Sequence, residues 1–198
     1  MERLATPVLF ERQRYAVLPG LLAPGPCSFF YQVALAKAAA GVMSLDDHQV
    51  EGTPSAYSEP LMQKLLEDLL PAIERASGRP LYPTYSYFRV YKHGDVLQRH
   101  TDRPACEISV SLSLGFAAPE PWKLWIEGPD GKSGVALSPG DGVLYRGMEL
   151  PHWRDAFDGD HAAQVFLHYV DSQGENAEWK FDKRPGLYRA VPAGRGRS

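Results

Sequence analysis

The second half of this chain is a run of short β-type segments with no helical pattern between them. Stretches rich in β-branched and aromatic residues alternate with Gly, Pro and Asp from residue 81 to residue 171. Tight turns are expected at 128–131 and 139–142. Closely spaced strands of this kind form an antiparallel sandwich or barrel, and a jelly-roll is the version we predict. The predicted strands are 85–91, 96–100, 106–114, 122–127, 134–137, 142–145 and 163–170.

The first 80 residues have a different pattern. Apolar residues at helical spacing predict helices over 28–40 and 60–76, and Pro71 should kink or split the second one. The polar stretch 44–57 is expected to be a lid or an unstructured loop. We therefore predict a single domain over 1–198, in which 1–80 is a mainly helical support and 81–171 a cupin-like jelly-roll. Residues 172–198 form a C-terminal extension, with 194–198 as a frayed, solvated end.

Composition excludes several classes of function. The 198 residues carry a net charge of −3 and are 44% hydrophobic, which argues against disorder and against a general affinity for nucleic acid. No apolar stretch reaches the length of about 20 residues that a membrane span needs. Two cysteines are too few to staple a secreted domain, so we expect them to be reduced and buried. The N-terminal residues lack a signal-peptide pattern, and a cytoplasmic protein is expected.

The histidines suggest a metal site. Alternate residues of a strand point the same way, so a His-x-Asp tripeptide at a strand end supplies two ligands together. His100 and Asp102 form such a tripeptide after a predicted strand, and His152 lies fifty positions past Asp102. Two histidines and one carboxylate are the ligand set of non-haem iron(II) oxygenases. The same tripeptide at 93–95 contains a central glycine and is predicted to be a turn.

From about residue 85 to residue 171, roughly half of the chain, the sequence resembles the iron(II)- and 2-oxoglutarate-dependent oxygenases, most closely their prolyl 4-hydroxylase-like branch. The resemblance lies in the order of its motifs, from a tyrosine and a glycine turn to a histidine followed by a last strand. It implies a double-stranded β-helix, with iron(II) held by His100, Asp102 and His152. The matching residues are Tyr91, Gly94, His100 to Asp102, the strand 107–114, the turn 139–141, His152 and the strand 163–169.

The match departs from the family at the cosubstrate. Related enzymes usually place an arginine or lysine on the last strand, about ten residues after the second histidine, to bind the distal carboxylate of 2-oxoglutarate. Here residues 160–165 contain no Arg or Lys. A buried carboxylate still needs a cation, and Arg154 shares a face with His152 if that segment is extended. Arg154 is our first candidate, and the alternatives are Arg103, Arg146, Arg89 and Lys123.

Other side chains are candidates for the pocket. The resemblance places Tyr91 where related enzymes often have a tyrosine that reaches the cosubstrate. Ser109, Ser111 and Ser113 alternate with apolar residues, which indicates either a polar face inside a barrel or a solvated face. Gln164 and His168 share parity on the final strand, and either could face the pocket. We expect Tyr91, Ser113 and Gln164 to contact the cosubstrate with Arg154, and His168 and Arg103 to contact substrate.

The resemblance implies a hydroxylase that uses dioxygen and 2-oxoglutarate to oxidise an unactivated C–H of a small molecule or peptidyl residue, releasing succinate and carbon dioxide. The organic substrate and the oligomeric state stay open. Three alternatives also fit the residues: a cupin-like metal enzyme that does not use 2-oxoglutarate, a metal-free β-sandwich that binds sugar or peptide, and an inactive scaffold with the oxygenase fold. His161 is the alternative second histidine ligand.

Overall fold

A computed structural model describes residues 5–189 of the chain. The helices are α1 (Thr6–Gln13), α2 (Pro24–Ala39) and α3 (Pro60–Ser77), and short 3-10 segments occupy Pro104–Cys106 and Ala177–Lys183. The strands are β1 (Tyr15–Leu18), β2 (Ser55–Tyr57), β3 (Leu81–Lys92), β4 (Leu97–His100), β5 (Ile108–Ala117), β6 (Leu124–Gly128), β7 (Gly131–Val135), β8 (Gly142–Tyr145), β9 (His152–Arg154) and β10 (His161–Asp171).

The strands form two antiparallel sheets that face each other as a jelly-roll. The larger sheet has six strands in the order β1-β8-β5-β10-β3-β2, and the smaller has four in the order β4-β9-β6-β7. Neighbours in each sheet are mostly distant in sequence, as the predicted jelly-roll requires. The turns expected at 128–131 and 139–142 are present, and Gly131 and Gly140 adopt the positive φ angles of 98° and 89° that favour glycine there.

Helices cover the outer face of the larger sheet. The apolar residues of β5 that alternate with its serines belong to one buried cluster with side chains from α2 and α3. Burial of one such leucine or isoleucine contributes about 1.5–3 kcal/mol, so this layer supplies much of the stability of the fold. The other face of β5 points between the sheets, where Ser109, Ser111 and Ser113 are fully buried. Of the two interpretations of these serines, the solvated face is therefore wrong.

Several predicted boundaries need correction. α3 continues through Pro71 as one helix and is not split. Proline at position 71 leaves the backbone carbonyl of Glu67 without its usual N–H donor. Because both residues are exposed, water can bind that carbonyl, while the opposite face of α3 stays packed on the sheet. α2 begins at Pro24 instead of residue 28. A proline is tolerated there because the N–H groups of a helix's first turn have no acceptor within the helix, so the N–H that proline lacks is not needed.

The region before residue 80 also contains elements that the sequence did not reveal. α1, β1 and β2 are all short, and the two strands form the opposite edges of the six-stranded sheet. At the other end of the chain, Arg103 donates to Asp182 at 2.7 and 2.8 Å, which fixes part of the expected C-terminal extension against the jelly-roll. The end predicted at 194–198 lies outside the described residues. No helix within 5–189 is long and apolar enough to span a membrane.

The stretch 44–57 is held in place by a buried ion pair. Asp47 binds the guanidinium of Arg89 on β3 through both carboxylate oxygens, and Gln49 accepts from the same guanidinium at 2.6 Å. Burial by itself would raise the pKa of Asp47, but the hydrogen bonds and charge of Arg89 outweigh it, and the pKa lies below its ordinary value. The unstructured interpretation of this loop is therefore wrong, and its role as a lid remains a prediction.

We expect Asp47→Asn to lower the free energy of unfolding by about 3 kcal/mol at neutral pH, because Arg89 would stay buried without a carboxylate. Since the folded protein depresses the pKa of Asp47, the wild-type advantage is full above the unfolded-state pKa of about 4 and is lost as the pH falls through the folded-state pKa. Chemical denaturation of the wild type and the variant at pH 7 and pH 3 measures this difference in the free energy of unfolding. Asp46→Asn, on an exposed neighbour, is the control, and equal stability of the two variants at pH 7 would contradict the account.

Candidate metal centre

The three predicted metal ligands lie together on the inner side of the smaller sheet. His100 ends β4 and His152 begins β9, and the antiparallel register pairs these two residues directly. Asp102 follows β4 by two residues. Its Oδ1 lies 3.7 Å from Nε2 of His100 and 3.6 Å from Nε2 of His152. Two imidazole nitrogens therefore face one carboxylate oxygen.

Backbone carbonyls fix the tautomer of both histidines. Nδ1 of His100 lies 2.8 Å from the carbonyl oxygen of Gln98, and Nδ1 of His152 lies 2.9 Å from that of Leu150. Because a carbonyl oxygen only accepts, each Nδ1 carries the proton, and each Nε2 presents its lone pair to Asp102. Metal-binding histidines are commonly oriented in this way, with the remote nitrogen held by the backbone.

The charge states of these groups also suit a cation. Burial lowers the pKa of His152 to about 4, and burial together with the neighbouring His152 lowers that of His100, so both imidazoles are neutral at pH 7. Burial raises the pKa of Asp102 to about 6, against the opposing effects of His100 and Ser109. A divalent ion would stabilise the carboxylate and accept both lone pairs. This donor set, two histidines and a carboxylate on one side, leaves further coordination positions open.

Gly147 makes room for the carboxylate of Asp102. A Cβ atom at position 147 would overlap both Oδ2 of Asp102 and the carbonyl oxygen of Cys106. The carbonyl of Gly147 in turn accepts from the backbone N–H of Asp102 at 2.9 Å. This residue was not predicted, because one glycine among 18 carries no signal that it contacts a distant side chain.

Arg154 lies on the same strand and the same face as His152, as expected if the segment is extended. It is only 1% exposed. Nη1 donates to the carbonyl of Trp122 at 2.6 Å and Nη2 to Ser111 at 3.4 Å, while the buried Nε has no partner within the described residues. Burial lowers the pKa of the guanidinium. Its Cζ also lies 4.9 Å from the ring centre of Trp122. Within 5–189 no carboxylate lies within ion-pair distance of Arg154, so no anion there neutralises its buried charge.

The alternative cations already have partners or lie outside the barrel. Arg89 is paired with Asp47 and Arg103 with Asp182, as described above. Arg146 binds Glu11 at 2.5 Å and Glu149 at 3.3 Å. Lys123 is exposed and lies 5.9 Å from the ring centre of Trp125. Arg154 thus differs from all four in combining burial with the lack of an anionic partner among the described residues.

The polar residues expected at the cosubstrate lie on the inner face of the larger sheet. Ser113 and Gln164 are directly opposite each other on β5 and β10, and both are buried. Neither Oγ of Ser113 nor Oε1 of Gln164 has a hydrogen-bond partner within the described residues. Tyr91 is fully buried on β3, and its hydroxyl accepts from Arg89 at 3.2 Å. Two of these buried side chains therefore carry a polar atom without a partner among the described residues, on the sheet face that also holds Ser111, a neighbour of Arg154.

The two residues expected at the substrate have partners of their own near Asp102. His168 is buried, and its Nδ1 lies 2.9 Å from the hydroxyl of Ser109, which also contacts Asp102. Arg103 is partly exposed over the ring of Tyr85, with its guanidinium carbon 4.7 Å from the ring centre. The Asp182 that binds Arg103 was not anticipated, because nothing in the sequence links residues 79 positions apart.

The remaining histidines lie elsewhere. His161 shares a 2.7 Å hydrogen bond with the hydroxyl of Tyr31 and is not grouped with the triad, so it is not the second ligand of this centre. His93 and His48 are exposed. The turn predicted at 93–95 is present, with Gly94 at a φ angle of 83°.

Solved structures with the same fold include a prolyl hydroxylase and two proteins crystallised with a metal ion and a 2-oxo acid. A prolyl-4-hydroxylase from Pseudomonas putida has 15% sequence identity and a TM-score of 0.68, covering 84% of this chain and 97% of its own. The epimerase SnoN from nogalamycin biosynthesis, in complex with Fe3+, alpha ketoglutarate and nogalamycin RO, has 15% identity and a TM-score of 0.70 and covers 96% and 93%. HygX from Streptomyces hygroscopicus, bound to nickel, 2-oxoglutarate and hygromycin B, has 14% identity and a TM-score of 0.65 and covers 84% and 86%.

No family model and no curated protein matches the sequence. At 14 to 15% identity the likeness is one of fold, and it extends over most of each chain. The predicted jelly-roll is confirmed, and the chain has the fold of the oxygenases that the sequence resembles.

We expect Gly147→Ala to weaken divalent metal binding by at least about 10-fold, because its methyl group would displace the carboxylate of Asp102 from the two histidines. Isothermal titration of the metal-free protein with Co(II) measures the affinity. Gly25→Ala is the matched control, since a Cβ there meets no atom within 4 Å. Wild-type affinity in Gly147→Ala would show that the position of this carboxylate does not determine metal binding.

Proposed function

We propose that the protein is an iron(II)- and 2-oxoglutarate-dependent oxygenase that hydroxylates an unactivated C–H of a small molecule or peptidyl residue. One observation carries this proposal: a triad of two neutral histidines and a carboxylate shares the barrel interior with a buried guanidinium that has no anionic partner among the described residues. A metal ion satisfies the triad, and a dicarboxylate that also binds the metal satisfies the guanidinium.

The donor atoms fit iron(II). His100 and His152 would bind through Nε2 and Asp102 through Oδ1, with the histidine tautomers already set by the backbone. When bound there, iron(II) supplies the reaction of dioxygen with 2-oxoglutarate that releases succinate and carbon dioxide and oxidises the substrate. The nickel, Fe3+ and 2-oxo acid in the HygX and SnoN structures support this choice of metal and cosubstrate.

Charge balance supports a dianionic cosubstrate. A divalent ion, the carboxylate of Asp102 and the guanidinium of Arg154 together leave two positive charges in a buried space. The pairs Arg89 with Asp47 and Arg103 with Asp182 add none. Because uncompensated charge in a protein interior is strongly destabilising, a ligand with two negative charges is the complement that this site favours.

Two of the atoms without partners among the described residues, Nε of Arg154 and Oγ of Ser113, suit the distal carboxylate of 2-oxoglutarate. Arg154 would bind the distal carboxylate through a charge-assisted hydrogen bond from Nε, which has no partner within the described residues. Ser113 would donate its hydroxyl hydrogen to the same carboxylate, Gln164 would donate through the N–H groups of Nε2, and Tyr91 would orient the carboxylate from β3. This arrangement would replace the last-strand cation of related enzymes.

The substrate would approach past His100, the most exposed of the triad at 22% of its side-chain surface against 3% for His152. Arg103 and His168 are the side chains we propose to contact it. The relatives in fold act on a prolyl residue or on natural products, as their names state. We propose the same two substrate classes here, in a cytoplasmic protein with dioxygen as the co-reactant and no nucleic-acid partner.

We expect iron(II) and 2-oxoglutarate, added together to the metal-free protein under argon, to produce a weak visible charge-transfer band. His100→Ala and Asp102→Ala should abolish it because each removes a metal ligand, whereas the exposed His93→Ala should retain it. Metal binding without the band would favour a cupin-like enzyme that does not use 2-oxoglutarate. No metal binding would contradict both metal hypotheses.

We expect Arg154→Gln to weaken 2-oxoglutarate binding about 100-fold, since it removes charge-assisted hydrogen bonds that together contribute about 3 kcal/mol. The Michaelis constant for 2-oxoglutarate in a succinate-release assay measures this loss, while metal affinity should be unchanged. Arg99→Gln, on the exposed face of β4, is the control. An unchanged Michaelis constant would exclude Arg154 as the carboxylate anchor.

A further inference from the structure

The two oxygens of the Asp102 carboxylate face different surroundings. Oδ1 points to the two histidines of the triad. Oδ2 lies 3.1 Å from the hydroxyl of Ser109 on β5. A carboxylate that can turn about its Cβ–Cγ bond would present either oxygen, or both, to a metal ion. The contact with Ser109 is therefore placed to decide which oxygen the metal receives.

Ser109 has more partners than protons. Its hydroxyl lies 3.1 Å from Oδ2 of Asp102, 3.1 Å from the carbonyl oxygen of Cys106 and 2.9 Å from Nδ1 of His168. The single hydroxyl proton can serve one of these two oxygens, and the ionised carboxylate is the stronger acceptor. With that proton directed to Oδ2, the contact with His168 is made by Nδ1–H donating to Ser109, which places the ring proton of this histidine on Nδ1.

The surroundings of His168 keep it in that role. Burial lowers its pKa to about 3, so the imidazole is neutral and holds one ring proton. The ring of Tyr85 packs against it with centres 4.6 Å apart. The hydroxyl of Tyr85 lies 3.0 Å from the thiol of Cys106, which fixes the tyrosine in turn. His168 is thereby held at a defined distance behind Ser109.

A second metal ion is a weaker interpretation of the same residues. Asp102, Cys106 and His168 have donor atoms close enough to share an ion. The hydroxyl of Ser109, however, already connects the carboxylate to the imidazole, and the thiol of Cys106 already contacts Tyr85. Burial also raises the pKa of Cys106 and opposes the thiolate that a metal would need. The cluster is satisfied by hydrogen bonds alone.

We propose that Ser109, oriented by His168, is a positioning residue that holds Oδ2 of Asp102 and so presents Oδ1 alone to the metal. This inference rests on the proposed function. Neither residue touches the metal, and both act through the ligand carboxylate. Their effect therefore appears in metal affinity and in the coordination geometry, before any turnover.

The experiment is a titration of the metal-free, full-length protein with Co(II), followed by calorimetry and by the visible spectrum of the bound ion. We expect Ser109→Ala to weaken Co(II) binding about 10- to 100-fold and to change the spectrum, since Asp102 is then free to bind through both oxygens. Ser109→Thr retains the hydroxyl and should restore affinity and spectrum. Ser86→Ala removes another buried hydroxyl, one without a partner, and should behave as wild type.

His168→Phe tests the second step, because it keeps a ring and removes the donor to Ser109. We expect it to weaken Co(II) binding as well, and the double variant with Ser109→Ala to bind no worse than Ser109→Ala alone. If Ser109→Ala does not fold, His168→Phe with its altered spectrum carries the test. Wild-type affinity and spectrum in the variants that fold, or additive losses in the double variant, would overturn the inference. Failure of the wild-type protein to bind Co(II) would instead remove the proposed function on which it rests.

Discussion

The pairing of β4 with β9 is the interaction on which the whole site depends. Its register sets His100 opposite His152 and Leu97 opposite Arg154, so one short antiparallel contact places both histidines of the triad and the buried guanidinium on one face. A slip of one residue would turn these side chains to the outer surface. The inner face of the larger sheet then adds polar groups, with Ser109 beside Asp102 and Ser111 beside Arg154.

Charge pairing in the barrel interior distinguishes the arginine that we propose binds a ligand from the arginines that stabilise the fold. Two further arginines in or beside the barrel, Arg89 and Arg103, each have a bidentate carboxylate partner and fasten a loop or the C-terminal segment to the sheet. Arg154 has none within the described residues and keeps an unused donor. Proteins retain buried charges without a partner at functional sites, where binding or catalysis requires them. The carboxylate of Asp102 is a second group of this kind, and burial raises its pKa to about 6.

Much of this site could be predicted from local sequence. His100 and Asp102 follow from the two-residue period of a strand, and Arg154 from its spacing to His152. The alternation of Ser109, Ser111 and Ser113 with apolar residues marked a face but could not tell cavity from solvent, because that depends on what packs opposite. Gly147 and Asp47 were beyond reach for a related reason: each acts by a contact with a residue about 40 positions away, which no local pattern reports. α3 continued through Pro71 because its buried face outweighs one missing hydrogen bond.

The most direct test of the account compares two 2-oxo acids on the iron(II)-loaded protein under argon. 2-Oxoglutarate and 2-oxobutyrate offer the metal the same 2-oxo carboxylate, but only the first has a distal carboxylate for Arg154. We expect 2-oxoglutarate to bind about 100-fold more tightly in a calorimetric titration, because charge-assisted hydrogen bonds from Arg154 to its distal carboxylate contribute about 3 kcal/mol. Equal affinities for the two acids would contradict the claim that the triad and Arg154 together bind one dicarboxylate.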